Sequence, residues 1–240
     1  MCAPNHTLAP KGSSSVPLIG KGKKKQITGT FAVSMTGDFL PMQLIYEGKT
    51  ARCHPPTQFP EGFNITHSPT HYSNEEIVKE HLEEVIFPYL RSKREELSLD
   101  DDQKALLVFD AFKAQITPSV QDLLDQNHSV FVLVPANLTH HFQPLDLMIN
   151  SMAKRFLNKK FSDWYSDQIT KQLKDGVSAH QVKIDLSLTK MKPIHGNWLI
   201  GLYDYLCNQK EVIIESFEKA GVEEALSLEL PADDPFSDLV

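Results

Sequence analysis

Along this chain the spacing of apolar and polar positions changes period several times, and each change marks an element. The runs QITGTFAVSM and FLPMQLIYEG are β-prone and meet at Thr36-Gly37-Asp38, where glycine can take the positive φ of a tight turn, so a hairpin is predicted. Pro41 lacks an amide hydrogen and suits an edge or a strand start. The proline-rich, histidine-bearing stretch 49–72 reads as a long surface excursion. Ser73 offers a capping hydroxyl and Glu75 and Glu76 offer first-turn carboxylates, while Ile77, Leu82, Val85 and Ile86 form one apolar face. A helix over 74–92 follows.

The run ALLVFD is too short for a typical helix and predicts a fully buried strand ending at Asp110. SVFVLVP predicts a second, and a helix over 117–127 between them makes a crossover that sets the two strands parallel inside a covered sheet. From Leu145 to Leu173 the apolar positions recur at helical spacing, with Lys154, Arg155, Lys159 and Lys160 falling on the other side. Two more helices are expected, over about 178–190 and 197–219, the second starting after Gly196 and ending at Gly221. Strands and helices in this order predict a mixed α/β fold.

Composition narrows the class. With 240 residues and 41% hydrophobic content the chain can bury one sizeable core. Its longest apolar runs fall far short of the roughly 20 residues of a membrane helix, and no signal-type segment opens the chain, so no membrane partner and an intracellular setting are expected. Cys2, Cys53 and Cys207 are too scattered for a disulfide framework or a CxxC zinc pair. The formal charge of −7 hides an uneven distribution: residues 11–25 carry five lysines and no acid, whereas residues 223–240 carry six acids and no base. Three regions follow: a basic irregular lead-in (1–25), a folded domain (26–220) and a flexible acidic tail (221–240), the tail being a candidate contact for a protein partner.

Asp110 and Asp146 stand where strand ends meet helix starts. Each has two readings. Asp110 is either a hydrogen-bonded strand-end carboxylate or a ligand for a divalent cation, which compensates such a charge well. Asp146, in Pro144-Leu145-Asp146, either stabilises a helix N-terminus or is a metal ligand. His140 and His141 are adjacent and ill-suited to share one ion. His67 and His71 have i, i+4 spacing but lack an HExxH pattern and are discounted. Lys21, Lys23, Lys24 and Lys25, together with Lys154, Arg155, Lys159 and Lys160, either neutralise phosphates or form solvated faces.

Three blocks in order, FAVSMTGDFLPMQLIYEGKT, LVFDAFKAQ and VLVPANLTHHFQPLDLMINSMAKRF, resemble the DDE transposases of the pogo, Tigger, jerky and centromere-protein-B-like group over about residues 7–165. The resemblance implies a ribonuclease-H-like mixed sheet flanked by helices, a nuclear location and a DNA partner. It also implies three carboxylates holding two Mg2+ or Mn2+ ions roughly 4 Å apart for in-line attack on phosphate. Asp110 and Asp146 correspond to the second and third carboxylates, the catalytic and metal-binding positions, with 35 residues between them. The family's first carboxylate lies in an Asp-(Glu/Gln)-Thr motif on the first sheet strand, and Met1 follows that position. On this reading the fold lacks its first strand, the chain alone does not cleave DNA, and its uncovered strand edges favour homo-oligomers. Asp38, a turn residue, is no substitute. The counter-reading is a domesticated, non-catalytic scaffold for DNA or protein.

Overall fold

The computed structural model describes residues 27–110, 112–135 and 138–227, without the side chain of His140. Strands β1 (Ile27–Thr30) and β2 (Gln43–Glu47) pair antiparallel, Ile27 opposite Tyr46 and Thr30 opposite Gln43. The Ser34 amide donates to the Asp38 carbonyl at 2.9 Å to close the turn of the expected hairpin, and Gly37 takes φ 92°. A Cβ at Gly37 would also stand 2.5 Å from Lys210 Cγ, so glycine serves both the turn and the packing. Pro41 lies two residues before β2, a strand-start position.

The stretch 49–72 is not a plain surface excursion. It contains a 3-10 turn, Ala51–Cys53, and strand β3 (Asn64–Ser68), which pairs parallel to β2 and makes β2 the middle strand of three. The physical reason is an inverted pattern. Asn64, Thr66 and Ser68 face inward, while Ile65 and His67 are half-buried, so the strand hides its polar side. Their polar atoms find partners: Gln43 Nε2 donates to Asn64 Oδ1 and to the Ile77 carbonyl, each at 2.8 Å, and Ser68 donates to the Tyr72 carbonyl at 2.9 Å.

Next comes a long helix in three parts, α1 (Glu75–His81), a π-helical turn (Leu82–Ile86) and α2 (Phe87–Glu96). Its cap is Asn74 rather than Ser73: the Asn74 side chain accepts from the Ile77 amide at 3.0 Å. Strands β4 (Ala105–Asp110) and β5 (Ser129–Val134) pair parallel in register from Ala105–Ser129 to Asp110–Val134, with α3 (Pro118–Gln126) between them in the chain. Both strands, their directions and the helix agree with expectation. Full burial does not. Leu107, Phe109 and Phe131 pack against Val78, Leu82, Val120 and Leu124, whereas Leu106, Val130 and Val132 are 45%, 39% and 53% exposed. The helices cover one face of this pair, and among the described residues each strand has only the other as a strand partner.

After β5 the chain forms α4 (Thr139–Phe142), a π-helical turn (Leu145–Ile149) and α5 (Asn150–Lys174), which agrees with the long helix expected from Leu145. The helix expected at 178–190 is absent: a single 3-10 turn, Ala179–Gln181, is followed by extended chain held by the Gln172 side chain against Lys183. Helix α6 (Leu188–Cys207) runs straight through Gly196, where a Cβ would lie 2.4 Å from Thr57 Oγ1. That glycine marks a close approach, not a boundary. The chain breaks at Asn208 instead, and α7 (Lys210–Lys219) and α8 (Val222–Ser227) follow. The acidic segment therefore begins as a helix, and residues 228–240 lie outside the described residues.

Two apolar cores result. One joins β2 to α5, α6 and α7 through Met42, Leu44, Ile149, Leu202, Leu206 and Ile213, all fully buried. The other joins α1, α2 and α3 to β4 and β5. Arg94 links the second core to its rim, donating to the backbone carbonyls of Gln103 (2.9 Å) and His128 (3.2 Å). No described helix is long and apolar enough to cross a membrane.

Candidate functional site

Asp110 is the last residue of β4, directly beside Val134, the last residue of β5. The two strands are parallel, so the chain leaves both at the same end of the sheet, and from Val134 it reaches Asp146 after eleven residues. Asp110 is exposed, and its carbonyl accepts from the Phe112 amide at 2.7 Å. Asp146 is also exposed. It lies in the π-helical turn that leads into α5, where its Oδ1 accepts from Asn150 Nδ2 at 2.6 Å. A π turn widens the helix by one residue per hydrogen-bonded ring and changes where a side chain in it is aimed. That detail has no signature in the apolar spacing.

Hard carboxylate oxygens suit Mg2+ or Mn2+. Among the described residues, however, neither aspartate belongs to a group of three acidic, histidine or cysteine side chains within ligand reach of one another. Among the described residues the carboxylates do not complete a two-metal cradle. Asp38 is occupied structurally: it accepts from the Tyr89 hydroxyl at 2.7 Å and pairs with Lys93 at 3.2 Å, and these contacts, the Tyr89 bond foremost, hold its carboxyl below the usual aspartate range.

Lys154, Arg155, Lys159 and Lys160 all stand exposed on α5. Lys159 makes an exposed pair with Asp163 at 3.2 Å, and Lys160 sits 5.4 Å from the centroid of the Phe156 ring. Surface pairs of this kind are weak enough to exchange for phosphate. Lys21, Lys23, Lys24 and Lys25 lie outside the described residues. His140 and His141 fall in α4.

The discounted histidine pair separates. His67 is in β3 and His71 lies past its end with its ring 4.4 Å from Tyr72. His67 instead joins Cys53 and His54, a grouping that spacing along the chain could not reveal because a strand pairing brings it about.

The chain matches the DDE superfamily endonuclease family over residues 24–227. It is 24% identical over 159 residues to "Pogo transposable element with KRAB domain" of Homo sapiens and to the Mus musculus protein of that name, a span of 66% of this chain and 24% of each relative. It is 25% identical over 132 residues to "Pogo transposable element with ZNF domain" of Homo sapiens, covering 55% of this chain and 9% of that protein. The chain thus spans about a quarter or less of the length of the curated relatives it matches. No solved structure matches. A pogo-like endonuclease match over most of the chain, on a mixed α/β fold with the two expected aspartates at a strand end and a helix start, leads to one assignment: the chain belongs to the DDE superfamily endonuclease family.

Proposed function

We propose that this is a transposase-derived, ribonuclease-H-like domain that binds nucleic acid through the phosphate backbone, with Asp110 and Asp146 as its cation-facing carboxylates. The observation that carries the proposal is a juxtaposition. Asp146 opens the helix whose exposed positions hold Lys154, Arg155, Lys159 and Lys160, so the candidate metal end and the basic surface share one element. The antiparallel β1–β2 hairpin and the parallel β4–α3–β5 unit support the ribonuclease-H-like order. Lysines and arginine on a helix surface contact phosphate without reading bases, so binding is largely independent of sequence, and DNA as partner implies work in the nucleus.

Asp110 and Asp146 supply two of the three carboxylates that two-metal cleavage requires, and among the described residues no third acidic group stands within ligand reach of them. Fluorescence anisotropy on two unrelated duplexes at several salt concentrations tests the binding. Both duplexes are expected to bind alike and weaken steeply with salt. Replacing Lys154, Arg155, Lys159 and Lys160 with Ala should flatten the log–log salt slope by about 0.9 for each lost phosphate contact. Salt-insensitive or sequence-selective binding, or a quadruple variant that binds unchanged, would overturn the reading. A complex with protein but none with DNA would favour a domesticated scaffold.

A further inference from the structure

Away from the aspartates, β3 and the 3-10 turn that precedes it bring three soft or borderline ligands together. Cys53 ends the turn, His54 follows it, and His67 is the fourth residue of β3. One ligand atom from each lies within 4.8 Å of the other two. The histidine rings meet edge-on with centroids 5.2 Å apart.

Two observations show that this is more than proximity. His54 Nε2 and His67 Nδ1 are both shielded from water and hydrogen-bond to nothing, as is the Tyr46 hydroxyl, and the Tyr46 ring lies 5.7 Å from His54. A buried nitrogen left unpaired costs about 1–3 kcal/mol, so two in one small volume call for a partner. The neighbouring backbone is also shaped to the thiol. At Gly48 a Cβ would stand 2.5 Å from Cys53 Cβ and 2.7 Å from its Sγ, so only glycine lets the thiol nest there.

We propose that Cys53, His54 and His67 form a zinc-binding site with a fourth position open to solvent or an added ligand. Zinc–sulfur and zinc–nitrogen bonds of roughly 2.3 and 2.0–2.1 Å place tetrahedral nitrogen and sulfur ligand atoms roughly 3.3–3.6 Å apart, so side-chain movements no greater than about 1.5 Å close the three on the ion. The donor set excludes the hard cations. One thiolate and two imidazoles select a borderline d-block ion such as zinc, whereas Mg2+ requires oxygens. Lys192 bonds to the Cys53 carbonyl, and beside it a cleft of about 270 Å³, lined also by His54 and Arg52, gives access from outside. Because the ligands come from the 3-10 turn and from β3, the ion would fasten the segment between them to the edge of the three-stranded sheet.

The test uses the full chain carrying Cys2→Ala and Cys207→Ala, which leaves Cys53 as the sole thiol. After chelation and dialysis, cobalt is added. One equivalent should give a thiolate-to-cobalt charge-transfer band and tetrahedral visible bands, both displaced by zinc. Zinc, but not magnesium, should raise the melting temperature reversibly with chelator. His67→Gln should weaken zinc binding by roughly a hundredfold or more, whereas His71→Gln should leave it unchanged. If no thiolate band forms at one equivalent, or if His71→Gln removes binding as fully as His67→Gln, the site is wrong. Should His67→Gln fail to fold, the cobalt spectrum of the chain with both histidines present decides alone.

Discussion

The three-stranded sheet and the parallel pair are built from similar apolar runs, yet they are packed in opposite ways. In the first, Met42, Leu44 and Ile45 are each fully buried, so both faces of β2 are covered, and a polar network from Gln43 to Asn64 and Ile77 ties the sheet to α1. In the second, Leu107 and Phe109 meet the helices while Leu106, Val130 and Val132 face outward. An apolar run shows that a strand can be buried on both faces. Whether it is depends on what else the chain brings to each face.

Core truncation should expose the contrast most sharply. Leu44→Ala and Ile45→Ala remove fully buried side chains and should each cost about 3–4 kcal/mol of unfolding free energy. Val132→Ala, at a half-exposed position on the open face, should cost under about 1 kcal/mol. Chemical denaturation of the three variants checks this, and a Val132 variant as damaging as Leu44→Ala would mean that the open face is covered in solution.

Acid should weaken both regions, because each contains a shielded histidine. Burial depresses His81, on the helix over the parallel pair, and His195, in α6, to about 4. Their Nδ1 atoms are buried without partners. The unfolded chain, with histidine near 6.5, binds more protons than the folded one between pH 4 and 6.5. The stabilisation is therefore fully present above about pH 6.5 and is lost as pH falls to about 4, by about 3 kcal/mol per histidine. Thermal melts of His81→Gln and His195→Gln across this range should each show a flatter pH dependence than the parent. The remaining slope then tells which region gives way first.

Arg94 tests how firmly the parallel pair is anchored at its other end. Its guanidinium serves the Gln103 and His128 carbonyls at the entrances of β4 and β5, so Arg94→Met should cost about 2 kcal/mol. Hydrogen exchange should quicken in 105–110 and 129–134 and stay unchanged in 43–47. Equal loss of protection in both sheets would show that they open as one unit.

Much of this was legible in the chain wherever apolar spacing carried the information. The hairpin, β4, α3, β5 and the long helix from Leu145 all follow from periodicity. Strand β3 does not, because Asn64, Thr66 and Ser68 face inward and the usual pattern is reversed. Gly196 was misleading for a related reason: a glycine needed for contact with Thr57 looks the same in sequence as one that ends a helix. The two aspartates were legible as residues at a strand end and a helix start. The π-helical turn around Asp146 and the approach of His67 to Cys53 were not, since one depends on local helix geometry and the other on strand pairing.

The smallest expected effects bear on what the open region is for. Asp110 is exposed at a strand end, with no side-chain partner among the described residues, so Asp110→Asn should leave stability within about 0.5 kcal/mol. Asp146 accepts from Asn150 in the turn that leads into α5, so Asp146→Asn should cost about 0.5–1 kcal/mol. If these residues were only a strand end and a helix cap, magnesium would change neither result. As cation-facing carboxylates, they predict that millimolar magnesium strengthens DNA binding by the parent chain and not by either variant. Anisotropy with and without magnesium at constant ionic strength separates the two readings. Identical magnesium responses in the parent and both variants would leave Asp110 without a role in stability or binding and reduce Asp146 to a helix cap.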